Sequence, residues 1–390
     1  MSQTLDVLGG ITAEQFLSEY WQKKPLLVRN AIPEIAGILE PNDVMELALE
    51  NEISARLIKQ KDRDPNQWTV KSSPLIKADF QKMPKLWTLL VQAVDHYSFD
   101  LSEMWKKFPF IPQWRREDIM VSYAPKGGSG GKHFDFYDVF LVQGSGHRRW
   151  QLGQQCDAST EYVAGQPLKL LPEIEVNFDE VLAPGDLLYV PPGLAHYGVA
   201  EDDCLTYSFG FRMPNVADMV DSLGDALSID ECLQNPLIDI QRDQTSAIGE
   251  ITSHELQYLR EKLLEELQNQ NALNEALMTL ISRPGYPNNI PENDEIGVGD
   301  LEEALDQGYL LKLEPASRLL YSEFGGVLRF WANGERMDIS EAFTSKLKMI
   351  ADGEIIELNE EMYDQAILEN IAELMNTSII MLLPSDETAE

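Results

Sequence analysis

The residues with the clearest chemistry in this chain are two histidines and one aspartate, His133, Asp135 and His196. Two imidazoles and one carboxylate form the facial ligand set of non-haem iron, which leaves half of the positions of an octahedral ion open for a co-substrate and dioxygen. Side chains two residues apart in a strand point to the same face, so His133 and Asp135 can bind one ion. If His196 converges on them, the ligand set predicts an iron oxygenase.

Two segments are predicted to position these ligands. Residues 136–143 are rich in β-branched and aromatic side chains and are typical of a strand. Residues 186–190 form a second, short strand pattern, and the Pro191-Pro192-Gly193 run that follows predicts a turn. This turn would bring His196 back toward the first two ligands.

The run from Gly185 to His196 fits the pattern Gly-x5-Pro-x-Gly-x2-His at every fixed position. It resembles the second motif of the cupin superfamily, whose members fold as a double-stranded β-helix. The chain departs from that superfamily at Ala200, where cupins often carry Asn. It departs further in the first motif, where Asp135 replaces a second His and no Glu follows at the usual distance. These departures favour a two-histidine, one-carboxylate oxygenase over a cupin with three His and a Glu.

A more specific resemblance is carried by four segments in order: Phe16–Pro25, Asp118–Tyr123, His133–Phe140 and Gly146–Trp150. They resemble the bacterial ribosomal oxygenases of the JmjC class. The resemblance implies an oxygenase that uses Fe(II), 2-oxoglutarate and O2 to hydroxylate C3 of an arginine in the sixteenth protein of the large ribosomal subunit. No general base is needed for such a reaction, so we assign no catalytic residue beyond the metal centre.

A 2-oxoglutarate molecule needs a cation for its distant carboxylate, and an arginine fork binds a carboxylate through two parallel hydrogen bonds. Arg148 and Arg149 are adjacent in a predicted strand and therefore face opposite sides, so only one can point inward. The family places its cation at the position of Arg148. We assign Ser122 to the same co-substrate site and expect Arg149 to lie in solvent.

Two further strands alternate between small or polar and apolar side chains. The polar faces carry Asp118, Met120 and Ser122 in one strand, and Cys204, Thr206, Ser208 and Gly210 in the other. Such faces can line a barrel interior or meet water, and the alternation alone leaves both possibilities open. The family resemblance implies that Asp118 and Ser208 hold the substrate guanidinium while Tyr137 and Met120 pack along its stem.

Composition restricts the partners and the compartment. The chain has 390 residues and a formal net charge of −34, so its acidic surface disfavours direct nucleic-acid binding and favours a basic partner such as a ribosomal protein. Solubility or a salty environment explains the same charge equally well. The three cysteines form no CxxC motif, and no apolar run is long enough to span a membrane. We therefore expect a cytoplasmic protein with buried thiols.

The chain is predicted to contain a mainly β catalytic domain of cupin/JmjC type at 1–212, a helical region at 213–283, a linker at 284–299 and a winged-helix-like α/β domain at 300–390. The helical region carries an apolar stripe that includes Leu256, Leu259, Leu263, Leu267 and Leu273. Such a stripe usually packs within its own chain, but the resembled family dimerises here, so we expect a homodimer. The Asn333-Gly334 pair of the last domain predicts a hairpin turn. This domain is acidic, and its charge favours a structural or protein-contact role over DNA binding.

Two alternatives remain open. A related 2-oxoglutarate oxygenase that hydroxylates histidine or demethylates lysine would share the metal centre, and the pocket around Asp118 and Ser208 would discriminate because an acid favours a cationic target. A metal-binding cupin isomerase or a non-catalytic scaffold would turn over no 2-oxoglutarate, and an inward Arg148 would then have no role.

Overall fold

The computed structural model describes residues 4–61, 64–228, 235–238, 248–268, 270–358 and 362–384. The chain forms two compact units: Met1–Met213 with Gly285–Glu292, and Pro214–Pro284 with Asn293–Glu390. Among the described residues, no helix has the length and apolar character needed to cross a membrane.

The first unit is mainly β. Its helices are α1 Ala13–Glu19, α2 Pro41–Leu47 and α3 Phe99–Glu103. Its strands are β1 Leu26–Val28, β2 Ala55–Lys61, β3 Asp64–Ser72, β4 Trp87–Val91, β5 Arg116–Ala124, β6 Asp138–Ser145, β7 Arg148–Gln155, β8 Phe178–Leu182, β9 Leu187–Val190, β10 Leu194–Ala200 and β11 Cys204–Phe211. The strands form an eight-stranded antiparallel sheet, ordered β1-β9-β6-β11-β5-β4-β2-β3, and a three-stranded sheet, β10-β7-β8. This is the double-stranded β-helix of cupin type that the sequence predicts.

The large sheet is covered on both faces. One face packs in an aromatic core, in which the ring of Phe140 lies 4.8 Å from those of Phe108 and Tyr189 between centroids. Alternate residues of β11, from Leu205 to Phe211, join this core. The intervening Thr206, Ser208 and Gly210 line an interior cavity together with the polar face of β5. The polar faces therefore belong to the interior of the unit, which decides between the two possibilities left open by the alternation.

The strand predicted over 136–143 begins later, at Asp138. The prediction that His133 and Asp135 lie in a regular strand is therefore wrong. His133 forms only an isolated antiparallel bridge with His196, and the backbone carbonyl of Asp135 accepts from the N–H of Gly193 at 2.7 Å. His133 and Asp135 are thus held by separate hydrogen bonds to His196 and Gly193 and not by the continuous hydrogen-bond ladder of a strand.

The second unit contains helices and two small sheets. Its helices are α4 Val216–Ser228, α5 Ser253–Leu267, α6 Gln270–Ser282, α7 Val298–Asp306, α8 Glu341–Ala351 and α9 Gln365–Asn376. Its strands are β12 Leu310–Leu313, β13 Leu319–Phe324, β14 Val327–Ala332, β15 Glu335–Met337, β16 Ile356–Glu357 and β17 Ile380–Leu383. They form the sheets β16-β12-β17 and β13-β14-β15. The predicted hairpin turn lies between β14 and β15, where Asn333 and Gly334 both have positive φ, at 50° and 90°.

The compact units divide the chain differently from the predicted domain boundaries. The helical region lies in the same unit as the winged-helix-like residues, and Gly285–Glu292, inside the predicted linker, belongs to the first unit. This division depends on contacts between residues that are distant in sequence, and local composition does not predict such contacts. Cys156 and Cys204 are free buried thiols, as expected, and Cys232 lies outside the described residues.

Candidate active site

The three predicted ligands meet at one point. His133, Asp135 and His196 each offer a ligand atom within 4.8 Å of the others. Asp135 Oδ2 lies 3.8 Å from His133 Nε2 and 3.7 Å from His196 Nε2. Separations of this size suit three ligands around a shared ion, and they bring two imidazoles and a carboxylate together as the facial set requires.

Backbone carbonyls fix the orientation of both imidazoles. His133 Nδ1–H donates to the carbonyl of Gly131 at 2.9 Å, and His196 Nδ1–H donates to that of Leu194 at 3.0 Å. A carbonyl can only accept, so each Nδ1 carries the proton and each Nε2 directs a lone pair at the centre. Burial, and then the neighbouring His133, lower the pKa of His196 to about 4. The His196 ring is therefore neutral at pH 7, as a metal ligand must be.

The ligand segments are held together by their backbones. His133 N–H donates to the carbonyl of His196 at 3.0 Å, and His196 N–H donates back at 2.8 Å. The turn before β10 needs Gly193, because its φ is 75° and an added Cβ would lie 2.7 Å from the carbonyl of Cys156. The Pro-Pro-Gly run thus places His196 opposite His133.

The metal ligands open into a cavity of about 420 Å³. The other predicted site residues also line it: Asp118, Met120, Ser122, Tyr137, Arg148 and Ser208. β5 supplies the first three, β7 supplies Arg148 and β11 supplies Ser208, while Tyr137 lies just before β6. The double-stranded β-helix brings them around one space.

Arg148 is a buried cation with unused donors. Its Nη1 donates to Ser122 Oγ at 3.2 Å, and its Nε and Nη2 have no hydrogen-bond partner within the described residues. Arg149 points to solvent and pairs with Asp179, with Nε at 2.6 Å from Oδ1. A buried guanidinium with unsatisfied N–H groups is costly unless an anion binds there. The arrangement fits a co-substrate carboxylate.

Trp150 is a cavity residue that the sequence reasoning missed. Its ring lies 6.0 Å from that of His196, and Arg148 Cζ lies 5.9 Å from its centroid. Its indole Nε1 has no hydrogen-bond partner in the described part of the chain. Trp150 stands two residues after Arg148 in β7, so strand alternation alone places both side chains on the same face.

An acidic group also lines the cavity. Asp118 is buried, and burial together with the negative charge of Asp95 raises its pKa to about 7. Tyr137 is half-buried, and burial followed by the nearby Asp135 and Asp118 raises its pKa, so its phenol is neutral. The sequence reasoning also missed Tyr286, whose hydroxyl donates to Asp118 Oδ2 at 3.2 Å.

Two family models match this chain, a JmjC domain over residues 103–219 and a ROXA-like winged helix over residues 264–381. A probable ribosomal oxygenase of Haemophilus influenzae is 42% identical over 394 residues, covering 96% of this chain and 93% of that protein. The chain belongs to the ribosomal oxygenases. The predicted family, the enzyme class and the predicted combination of a JmjC domain with a winged helix are thus confirmed.

Other relatives of this ribosomal oxygenase extend the comparison. The ribosomal protein uL16 3-hydroxylase of Escherichia coli is 29% identical over 368 residues, covering 93% of this chain and 95% of that one. A structure of YcfD, a ribosomal oxygenase from Escherichia coli, in complex with cobalt and 2-oxoglutarate matches with a TM-score of 0.82 and 28% identity, over 98% of this chain and 99% of that chain. Another structure of the same protein matches with a TM-score of 0.85.

We expect His196→Ala to weaken Co(II) binding by at least about 100-fold, because it removes a ligand and not merely a group that supports one. Calorimetric titration of the metal-free protein with Co(II) measures the affinity. His147→Ala is the matched control, since His147 is exposed and pairs with Asp202. Equal Co(II) affinity in the wild type and in His196→Ala would contradict the assignment of the metal centre.

Proposed function

We propose that this ribosomal oxygenase hydroxylates C3 of an arginine of ribosomal protein uL16, with Fe(II) held by His133, Asp135 and His196 and with 2-oxoglutarate and O2 as co-substrates. When bound, iron supplies the oxidising chemistry. The observation that carries the proposal is a single cavity lined by the three ligands, a buried arginine with unused donors and a buried acid. The protein itself contributes by positioning the co-substrate and the substrate.

At the cationic part of the cavity, Arg148 binds the distant carboxylate of 2-oxoglutarate through its free N–H groups. Ser122 accepts from Arg148 Nη1 and fixes the direction of the guanidinium. Trp150 packs beside both Arg148 and His196 and excludes water from the space between them. Low local polarity strengthens a charge-assisted hydrogen bond at this position.

At the acidic part, Asp118 and Ser208 hold the substrate guanidinium, and Tyr137 and Met120 pack along its aliphatic stem. A cavity of about 420 Å³ is the size of a small-molecule pocket, so one side chain of a protein substrate enters it and the folded substrate remains outside. A buried carboxylate selects a cationic side chain, because a neutral one would leave the acid without a partner.

The alternative substrates have weaker support. Relatives named bifunctional lysine-specific demethylase and histidyl-hydroxylase match only part of this chain, as in Drosophila willistoni, where the alignment covers 21% of it. The uL16 hydroxylase of Escherichia coli aligns over 93%. A cupin isomerase or a scaffold leaves the unsatisfied N–H groups of Arg148 unexplained.

The partner of this enzyme is a basic protein. A net charge of −34 attracts the basic surface of a ribosomal protein and opposes direct contact with nucleic acid. We place the reaction in the cytoplasm. We assign the winged-helix-like domain a structural or protein-contact role, because its acidic composition does not suit DNA binding.

The decisive test of the function is incubation of the protein with Fe(II), 2-oxoglutarate and the intact set of ribosomal proteins. We expect mass spectrometry to show a gain of one oxygen on an arginine of uL16, together with succinate formation. His133→Ala should abolish both signals, because it removes a metal ligand. Succinate without a modified arginine would contradict the arginine assignment and favour another substrate.

Variants of the two adjacent arginines serve as a matched pair in the same assay. Arg148→Ala should raise the KM for 2-oxoglutarate by about 100-fold, since it removes a charge-assisted contact worth roughly 1.5–3 kcal/mol and opens the site to water. Arg149→Ala should leave this KM within about twofold, because Arg149 contacts Asp179 at the surface. Equal effects of the two variants would contradict the co-substrate site.

We also propose that the protein is a homodimer through α5. Its Leu256, Leu259, Leu263 and Leu264 are 47–60% exposed, and several apolar side chains on one helix exceed what a solvated surface usually carries. A second copy of the same chain buries this stripe by symmetric pairing.

We expect the double variant Leu259→Lys/Leu263→Lys to halve the mass of the wild-type particle in light scattering, because two lysines in an apolar interface remain desolvated and unpaired. Val327→Lys is the control, since Val327 is 51% exposed on β14 and lies outside the stripe. A wild type with the mass of one chain, or a double variant that stays dimeric, would contradict this interface.

A further inference from the structure

The segment Gly285–Glu292 packs beside the acidic part of the cavity, within the first unit. Gly285 lies close to the Glu117 carboxylate, since a Cβ built on Gly285 would be 2.5 Å from Glu117 Oε1. The ring of Tyr286 contacts that of His96 at 6.0 Å between centroids. Asn289 Nδ2 donates to His96 Nδ1 at 3.1 Å. These contacts fix the position of the Tyr286 hydroxyl.

Three donors converge on a single oxygen of Asp118. Ala93 N–H donates to Oδ2 at 2.9 Å, and the Tyr286 hydroxyl donates to it at 3.2 Å. The side-chain amide of Gln92 is oriented with its nitrogen toward these groups. This nitrogen donates to the same Oδ2 at 3.1 Å and to the Tyr286 hydroxyl at 3.0 Å. The amide oxygen then accepts from Arg56 Nη2 at 3.2 Å. Ala93, which donates one of these bonds, adopts a φ of 50°, a strained conformation for a residue with a Cβ.

The other carboxylate oxygen is left for a ligand. Within the described ranges, Asp118 Oδ1 accepts no hydrogen bond, and it lies 3.6 Å from a Cβ built on Gly210, a residue that lines the cavity. The donors on Oδ2 therefore set the rotation of the carboxylate and present Oδ1 toward the cavity. A fixed acceptor loses less freedom on binding than a rotating one.

The charge of Asp118 depends on these donors. Burial, then Asp95 and Glu117, raise its pKa to about 7, while hydrogen bonds from Ala93 and Tyr286 lower it. The neighbouring Tyr137 has a raised pKa and is neutral. Asp95 accepts from Trp105, and Glu117 pairs with Arg212 at 3.2 Å. Because the acid is near half-protonation at neutral pH, the loss of one donor changes its charge.

We propose that Tyr286 is a positioning residue for the cationic substrate: its hydroxyl holds Asp118 Oδ2 so that Oδ1 receives the guanidinium. The proposal rests on the proposed function, because it needs an arginine in this cavity. Tyr286 itself acts through Asp118. It thereby makes the segment Gly285–Glu292 part of substrate recognition.

Tyr286→Phe keeps the ring and removes the hydroxyl. We expect the KM for an arginine peptide of uL16 to rise about tenfold, which is the size of one hydrogen bond to a charged group. The kcat and the KM for 2-oxoglutarate should stay within about twofold, since Arg148 and the metal ligands are untouched. Tyr97→Phe is the control, because it removes a hydroxyl from a tyrosine that is 39% exposed and lies outside the segment Gly285–Glu292. An equal rise in Tyr97→Phe would overturn the role of the Tyr286 hydroxyl.

A cycle with Asp118→Asn and a pH profile separate positioning from general structure. In the Asp118→Asn background, Tyr286→Phe should add no further change in KM. In the wild type, kcat/KM for the arginine peptide should fall as pH drops through about 7, where Asp118 becomes protonated. In Tyr286→Phe the midpoint should move to higher pH, because the lost hydrogen bond favoured the charged carboxylate. An unchanged midpoint and KM would overturn this inference, whereas a wild type that modifies no arginine would overturn the proposed function and with it this inference.

Discussion

The reciprocal backbone hydrogen bonds between His133 and His196 are the constraint on which the rest of the site depends. These two bonds, of 3.0 and 2.8 Å, join segments that are far apart in sequence. A third bond, from Gly193 N–H to the carbonyl of Asp135, holds the third predicted ligand, which lies between His133 and β6. Each imidazole is then oriented by a carbonyl two residues before it in the chain. The metal centre is thus built mostly from main-chain geometry, which leaves little freedom for its ligands.

The cavity beside the three predicted metal ligands is lined by a buried cation and a buried acid. Arg148 on β7 retains unsatisfied donors, and Asp118 on β5 retains an unused oxygen. Each buried and unpaired N–H of Arg148 costs about 1–3 kcal/mol, which favours an anion there, while the unused carboxylate oxygen of Asp118 favours a cation. One place for an anion and one for a cation, in the cavity that the three predicted metal ligands line, are what a 2-oxoglutarate oxygenase acting on arginine requires.

Strand periodicity made much of this site predictable. It allowed only one of Arg148 and Arg149 to face inward, and the family resemblance selected Arg148. Strand periodicity also grouped Asp118, Met120 and Ser122 on one face. The Pro-Pro-Gly turn before His196 could be predicted because its Gly193 has a φ of 75°, which few residues other than glycine adopt. The Asn333-Gly334 hairpin was predictable for the same local reason.

Contacts between distant segments were not predictable in this way. The strand predicted over 136–143 begins only at Asp138. The backbone bonds that hold His133 and Asp135 come from His196 in β10 and from Gly193 in the turn before it. Tyr286 lies 168 residues from Asp118 in sequence, inside a stretch whose prolines and glycines indicated only a linker. Neither periodicity nor composition indicates such a partner, although its hydroxyl donates to Asp118 Oδ2 at 3.2 Å.

We propose that the predicted metal ligands and the two charged groups act together to insert an atom of dioxygen into an arginine. The reaction of the purified protein with Fe(II), 2-oxoglutarate and uL16 under ¹⁸O-labelled dioxygen, followed by mass spectrometry of the arginine peptides, tests this joint action. We expect one heavy oxygen on a single arginine and one in the succinate. An arginine that carries oxygen from water, or no modified arginine while labelled succinate forms, would contradict it.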